Sequence, residues 1–438
     1  MSTFLRTATR SAFIRNSLTL LSGTAATQLI AALSAPVLGR LYGPHDYGVL
    51  GLFLATSGLL TVIASLQMST AIMLPRGTNA ARGLLQLSVG IAILIAAIIA
   101  PVMILGRQQI ANALGTPSLG GWLPLVPVAA ALSATVAALN AYANRLQLYR
   151  VMSASRISGA LTGLVVSLWL GFAWRTAHGL FAGFFAGLAV TAGVLVVAAL
   201  RADPDIFARI SVARLGLIFS RFRNFARVAT PAALLNNIVQ HLPIYIMSTV
   251  AGPQAAGHYS MTNRLLGLPS VFVSAAVSEV FQQRASADYA SSGSCRPIYL
   301  KTLRHLAALG FAPILLIMIF GPDIFALYLG EPWRRAGEFA RILSPLFFLR
   351  FVVSPLSYVF FIAGRQLENL LAQVGMLVVA AGGLYMGFRA TGSPSGMLAF
   401  YSAGYSAIYL YYAIRGYTIS RTEAAARSEA PVSTGGRP

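Results

Sequence analysis

The feature that most constrains this chain is a succession of apolar stretches about 20 residues long, separated by short polar or Gly-Pro segments. A helix rises 1.5 Å per residue, so each stretch is long enough to cross a hydrocarbon layer of about 30 Å. Within lipid every backbone amide must find its partner inside the protein, which leaves helices or closed barrels. The stretches are continuous, not alternating, so a barrel is excluded and an all-α polytopic membrane protein is expected. Charge content agrees: 57% of the 438 residues are hydrophobic and only 10% are charged, where a soluble domain carries about 25%. The expected spans are 17–39, 47–74, 83–106, 122–142, 157–174, 179–200, 229–250, 258–280, 305–321, 338–363, 367–388 and 395–414. That makes about twelve transmembrane helices, with both termini on one side.

The arginines decide which side. Of the 32 basic residues, 23 fall in the termini and alternate loops, against six in the opposing loops. Cytoplasmic loops are enriched in Lys and Arg, so both termini are expected in the cytoplasm. On this topology Trp122, Trp174 and Trp333 sit at the outer boundary, where interfacial tryptophans are expected. The same scatter disposes of nucleic acid as a partner, because a net charge of +21 spread over many short loops forms no single basic domain. The first apolar run follows Arg6, Arg10 and Arg15 but is too long for a signal peptide, so it reads as a retained first helix. Cys295 is the sole cysteine and forms no intrachain disulfide.

The chain repeats itself. Gly43-Pro44 with Gly48 follows the first span, and Gly252-Pro253 with Gly257 follows the seventh, at an offset of 209. Leu114-Gly115-Thr116-Pro117 matches Leu329-Gly330-Glu331-Pro332 at an offset of 215. Two matches in order and in equivalent loops indicate a six-plus-six duplication, with the halves parallel because six is even. The expected organisation is an amino-terminal six-helix lobe at 1–200 and a basic amphipathic cytoplasmic linker at 201–228. A carboxy-terminal six-helix lobe at 229–420 and a disordered tail at 421–438 follow.

Ionisable and polar groups within spans carry an insertion cost and mark candidate sites. Arg350 lies about 12 residues into the tenth span, some ~18 Å deep at 1.5 Å per residue, and is the first candidate for a hydrated cavity. Arg264 in the eighth span is the second, with snorkelling the competing reading, while Arg341 reads as snorkelling to the outer boundary. In the seventh span Asn236, Asn237, Gln240 and His241 form i,i+4 pairs on one polar face. At the offset of 209, Thr27 and Gln28 of the first span match Asn236 and Asn237, so both halves present polar groups at one depth. The alternative for all of these is interhelical hydrogen bonding that only holds the bundle together. Pro36, Pro231, Pro243, Pro269, Pro345 and Pro355 are expected to break or bend their spans. Tyr401, Tyr405 and Tyr409 recur every fourth residue, as a packing stripe or a platform for sugar rings. None of the eleven acids falls at mid-membrane, no Walker A motif is present, and no nucleophile–base or metal-ligand cluster stands out. A carrier without catalytic residues, cofactor or metal is expected, and arginines with amides but no acids suit an anionic ligand such as a phosphate.

The run Ala35-Pro36-Val37-Leu38-Gly39-Arg40-Leu41-Tyr42-Gly43-Pro44-His45-Asp46-Tyr47-Gly48 resembles the start of Wzx-like polysaccharide or O-antigen flippases. These belong to the multidrug/oligosaccharidyl-lipid/polysaccharide (MOP) exporter superfamily. Ala71-Ile72-Met73-Leu74-Pro75-Arg76, Gly267-Leu268-Pro269 and Trp333-Arg334-Arg335-Ala336-Gly337-Glu338-Phe339-Ala340-Arg341-Ile342-Leu343 are similar to the same family. The resemblance covers nearly the whole chain except the tail. It implies two six-helix lobes around a central cavity that opens alternately to each side of a bacterial inner membrane. It also implies transfer of an undecaprenyl-diphosphate-linked oligosaccharide to the periplasmic leaflet, in exopolysaccharide or lipopolysaccharide (O-antigen) synthesis. Membrane lipid, a coupling ion, a polysaccharide polymerase and a chain-length regulator are the partners it suggests. Arg40, inside the first resembling run, completes the candidate substrate-binding set with Arg350, Arg264, Asn236, Asn237, Gln240, His241 and Gln28. The rivals are a drug/cation antiporter of the same superfamily, which would want a mid-membrane carboxylate, and a membrane polysaccharide polymerase, which would want a large outer loop.

Overall fold

The computed structural model describes residues 2–174, 176–208, 211–270, 273 and 275–421. The tail beyond Arg421, with Arg175, Arg209 and the side chains of Arg6, Arg10 and Arg15, lies outside the described residues. The described residues are mostly helical, and no strand occurs among them. Its helices are α1 (Ser2–Leu41), α2 (Pro44–Ser65), α3 (Met68–Ala71), α4 (Thr78–Leu105) and α5 (Arg107–Ala113). Then come α6 (Val126–Arg145), α7 (Tyr149–Trp174), α8 (His178–Ala202), α9 (Val212–Asn224), α10 (Thr230–Pro269) and α11 (Ala275–Ser292). The last are α12 (Arg296–Leu329), α13 (Arg334–Val353), α14 (Val359–Ile362), α15 (Gln366–Thr391) and α16 (Pro394–Ser420). Among the described residues, eight helical segments are long and apolar enough to cross a membrane by length and composition. Large apolar side chains point outward along them, as Ile93, Leu94, Ile98, Val102 and Leu105 do on α4. In water such a surface would be costly, but in lipid it faces a solvent of its own kind.

The expected prolines behave unequally. α1, α10 and α13 run through Pro36, Pro243 and Pro345 without losing helical geometry, whereas Pro355 sits in a 3₁₀ turn, Ser354–Tyr358, that separates α13 from α14. The sharp break in α10 is made by Gly252, whose φ of +80° is closed to most side chains. The fourth span also starts later than expected: two 3₁₀ turns, Pro117–Gly121 and Leu123–Leu125, precede α6.

By compactness the chain divides into two units, residues 1–260 with 328–333, and residues 261–327 with 334–438. The first contains both copies of the Gly-Pro motif, which meet reciprocally. A Cβ added at Gly48 would lie 1.8 Å from the Pro253 carbonyl oxygen, and one at Gly257 would lie 1.7 Å from that of Pro44. The second pair of motifs is exchanged in the same fashion. The Leu114 carbonyl accepts from the Ser248 hydroxyl at 2.6 Å, and the Thr116 and Ser248 hydroxyls are 2.8 Å apart. The Leu329 side chain approaches Gly39, whose carbonyl accepts the Trp333 indole N–H at 2.8 Å. Ser248 is Gly39 advanced by the repeat offset of 209. Each copy of the Leu-Gly-x-Pro motif therefore packs against the other half's first helix, and at the end of α1 the Trp333 indole just beyond the motif satisfies a carbonyl of the kind that lacks an intrahelical partner.

Trp333 is thereby a correction. It was expected at the lipid boundary, but it is fully buried, packed edge-on to Tyr47 at 5.3 Å with its one donor satisfied by Gly39. Trp122 is half-buried and stacked on Phe181 at 3.7 Å, and of the three only Trp174 is well exposed.

In the first unit α7 and α8 cross through Gly159, Gly163, Gly183 and Gly187, each a would-be Cβ within 3 Å of the partner backbone. This is the small-residue spacing by which helices approach in lipid. A core of Leu84, Leu85, Tyr142, Leu195, Ala199 and Ile206 closes its arginine-rich end, with Ile218, Phe222 and Phe225 packed against it. In the second unit the core is Phe281, Tyr299, Phe351, Val359, Phe360 and Tyr412, with Cys295 buried among them.

Candidate functional site

The candidate residues fall into two clusters, one in each unit. In the second unit, Arg350 lies on α13 with its side chain exposed and its guanidinium 6.0 Å from the Phe347 ring centroid. It is near enough to Tyr405 and Tyr409 of α16 to interact electrostatically with both hydroxyls. Those tyrosines belong to a continuous ladder. Tyr401 and Tyr405 are 4.8 Å apart, Tyr405 and Tyr409 6.4 Å, and Tyr409 and Tyr412 6.5 Å, centroid to centroid. Tyr401, Tyr405 and Tyr412 are buried, Tyr409 half-buried. The spacing of four that suggested a stripe thus produces one, and Arg350 stands beside its middle. Ser406, on the same helix, has a buried hydroxyl without a hydrogen-bond partner among the described residues. Arg264 is exposed on the second arm of α10 and makes no hydrogen bond or ion pair among the described residues. Arg341 donates to the Ile319 carbonyl of α12 at 3.0 Å from an exposed position.

In the first unit the polar face of α10 splits. Asn236 and Gln240 are exposed and bonded to each other at 3.3 Å. Asn237, His241 and Tyr245, each four residues on, turn toward α2. The Asn237 amide nitrogen and His241 Nε2 lie 3.5 and 3.8 Å from where a Cβ at Gly58 would be, and the Tyr245 hydroxyl is 3.5 Å from that of Thr56. The Asn237 carbonyl oxygen is buried with no hydrogen-bond partner among the described residues. A buried unpaired acceptor is costly, and one in a native fold calls for a functional or structural reason. Gln28 is half-buried on α1, and no hydrogen bond joins it to the α10 amides among the described residues. Arg40 is exposed at the last turn of α1, its chain beside Gly330.

Two features escaped the sequence. Arg156 was assigned to a loop, but α7 begins at Tyr149 and carries Arg156 about two turns inside, where it donates to the Thr24 hydroxyl of α1 at 2.9 Å. Thr24 and Gln28 are i,i+4, so the polar stripe of α1 has an arginine beside it. The signal was the helical register of the residues before Arg156, which the span start at 157 cut off. The other feature is a clasp: Asp203 receives two hydrogen bonds from Arg82 and one from the Tyr142 hydroxyl, tying α4, α6 and the end of α8. The Arg82 guanidinium, by hydrogen bond and charge, holds the Asp203 carboxyl below the usual carboxylate range. In the second unit Glu368 bridges Arg415, at 2.8 and 3.0 Å, and Arg365, at 2.9 Å.

The succession of long apolar helices defines a multi-pass all-α membrane protein. Solved structures agree at the level of fold. The inward-facing conformation of a multidrug resistance MATE family transporter of the MOP superfamily has a TM-score of 0.63 at 17% identity, covering 92% of this chain and 94% of that one. The lipid II flippase MurJ in an inward closed conformation has a TM-score of 0.70 at 10% identity, covering 92% and 90%. An outward-facing MATE transporter has a TM-score of 0.56 at 16% identity, covering 93% and 95%. No curated protein sequence matches the chain significantly. The family model described as polysaccharide biosynthesis protein matches residues 37–338, more than half of the chain, and the protein belongs to that family.

Proposed function

We propose that this protein is a flippase that moves an undecaprenyl-diphosphate-linked oligosaccharide from the cytoplasmic to the periplasmic leaflet of a bacterial inner membrane. The arginine bias supports cytoplasmic termini, and the repeated motifs support a six-plus-six duplication. The observation that carries the reading is Arg350 standing beside a tyrosine ladder, in a chain whose family is one of polysaccharide biosynthesis. A guanidinium is a fixed bidentate donor for phosphate oxygens. Aromatic faces next to it offer a surface to sugar rings. Arg350, with Arg264 second, takes the diphosphate. The polyprenyl chain stays in lipid. A membrane potential negative inside opposes outward movement of an anion, so a coupling ion or a downhill supply of glycan drives the step. A polymerase and a chain-length regulator act on what is delivered.

The test is a deletion strain complemented with Arg350→Ala, Arg350→Lys or the wild type, each checked for membrane insertion. Lipid-linked repeat units are then located by leaflet. Accumulation on the cytoplasmic face with Arg350→Ala, and partial export with Arg350→Lys, is the expected result. Normal export by an inserted Arg350→Ala protein removes the assignment. Accumulation on the periplasmic face transfers the protein to the polymerase reading.

A further inference from the structure

A further basic site lies in the first unit. Arg76, in the segment before α4, and Arg214 and Arg221 of α9 line one cavity of about 600 Å³. Leu217, Ile218 and Phe222 form its apolar wall. α9 is held in place by Ile218 and Phe222, which also pack against the core of the first unit together with Phe225 just beyond the helix, and Ser211 caps its start by accepting from the Arg214 amide at 3.4 Å. Leu217 is left 73% exposed. The carboxylates nearest in sequence, Asp203 and Asp205, are engaged by Arg82. None of the three cavity arginines has a carboxylate partner among the described residues. Three guanidinium groups around one space repel one another unless an anion joins them.

We propose that this cavity binds the headgroup of an anionic phospholipid. The phosphate sits among Arg76, Arg214 and Arg221, and the upper acyl chains lie on Leu217, Ile218 and Phe222. Both halves of the chemistry are needed: the arginines require a negative group, and the exposed apolar wall requires hydrocarbon beside it. A free phosphate satisfies only the first. The volume decides against the glycan carrier, since about 600 Å³ accommodates a drug-sized group and not an oligosaccharide. A basic amphipathic helix at the membrane boundary is also the arrangement that anionic leaflets attract. On the orientation proposed above the leaflet is the cytoplasmic one; the binding site itself does not depend on the transported substrate. The lipid would pin α9, the joint between the two halves of the duplication.

Native mass spectrometry of the full-length protein in detergent tests this, titrated with phosphatidylglycerol, phosphatidylcholine or inorganic phosphate. The wild type is expected to retain phosphatidylglycerol in preference to phosphatidylcholine, and inorganic phosphate is not expected to displace it at equal concentration. The triple variant Arg76→Gln/Arg214→Gln/Arg221→Gln loses that affinity by about 100-fold, from the contribution of three basic groups. The triple Arg150→Gln/Arg284→Gln/Arg304→Gln, at three other exposed arginines, leaves it unchanged. Arg214→Glu serves as a milder second variant, because it supplies an internal partner for Arg76 and Arg221 and releases the lipid without removing three charges. Equal loss in both triples, wild-type binding by the cavity triple or by Arg214→Glu, or full displacement by inorganic phosphate each overturns the proposal.

Discussion

The reciprocal contact of Gly48 and Gly257 makes a quantitative demand on stability. Replacing Gly257 with Ala puts a methyl group 1.7 Å from the Pro44 carbonyl oxygen, and replacing Gly48 puts one 1.8 Å from that of Pro253. Real Cβ contacts essentially never fall below 3.0 Å, so each methyl must force the two backbones apart by more than an ångström. The obstructing atoms are main-chain carbonyls, which have no rotamer to yield. Overpacking of this kind costs about 1–3 kcal/mol, and the rigid partner puts these sites at the upper end. Gly48→Ala and Gly257→Ala are therefore expected to lower the thermal unfolding midpoint in detergent by similar amounts. The double variant should fall short of the sum, since separating the pair once relieves both clashes. Gly90→Ala is the control: it lies on α4 with open space at its Cβ and should stay within about 0.5 kcal/mol of the wild type. A midpoint for Gly257→Ala equal to that of Gly90→Ala, or strict additivity in the double variant, would refute the reciprocal packing.

Three further outcomes follow from individual side chains. Trp333→Phe leaves the buried Gly39 carbonyl without its donor, and is expected to cost about 1–3 kcal/mol in a chemical or thermal unfolding measurement. Asp203 is held below the usual carboxylate range, so its contribution is fully present above the ordinary carboxylate pKa and is lost as pH falls through the lowered folded value. Unfolding midpoints of the wild type should then drop at pH below about 4, while Asp203→Asn starts lower and shows a flatter acid limb. Asn237→Leu removes a buried acceptor that has no partner among the described residues. Stability should hold or rise while export of lipid-linked glycan falls; a loss of stability with unchanged export would assign Asn237 to packing alone.

The two repeated motifs show where sequence reading reaches and where it stops. Gly43-Pro44 with Gly48 and Gly252-Pro253 with Gly257 were visible as a duplication because backbone chemistry at a turn leaves few residue choices. That the copies would be pressed against each other was not visible, because the approach of a glycine to a proline carbonyl far away in the chain leaves no periodic trace. Trp333 was misplaced for the same reason: an indole prefers a membrane boundary on average, and only the free carbonyls at the end of α1 explain why this one is buried. Arg156 was lost to a boundary error of about two turns, which shifted it from a helix face to a loop.

From the amino acids alone came the environment, the helical class and the duplication. Each rests on a local or cumulative property: apolar run length, charge scarcity, arginine bias, repeated turn chemistry. Tertiary structure alone decided which polar groups share a neighbourhood. It set Arg350 beside Tyr405 and Tyr409, turned Asn237 and His241 toward Gly58, joined Arg82 to Asp203, and left Arg76, Arg214 and Arg221 around one space. Those pairings depend on how helices rotate and cross, and rotation is set by close packing of small residues between distant segments, which no single stretch of sequence encodes.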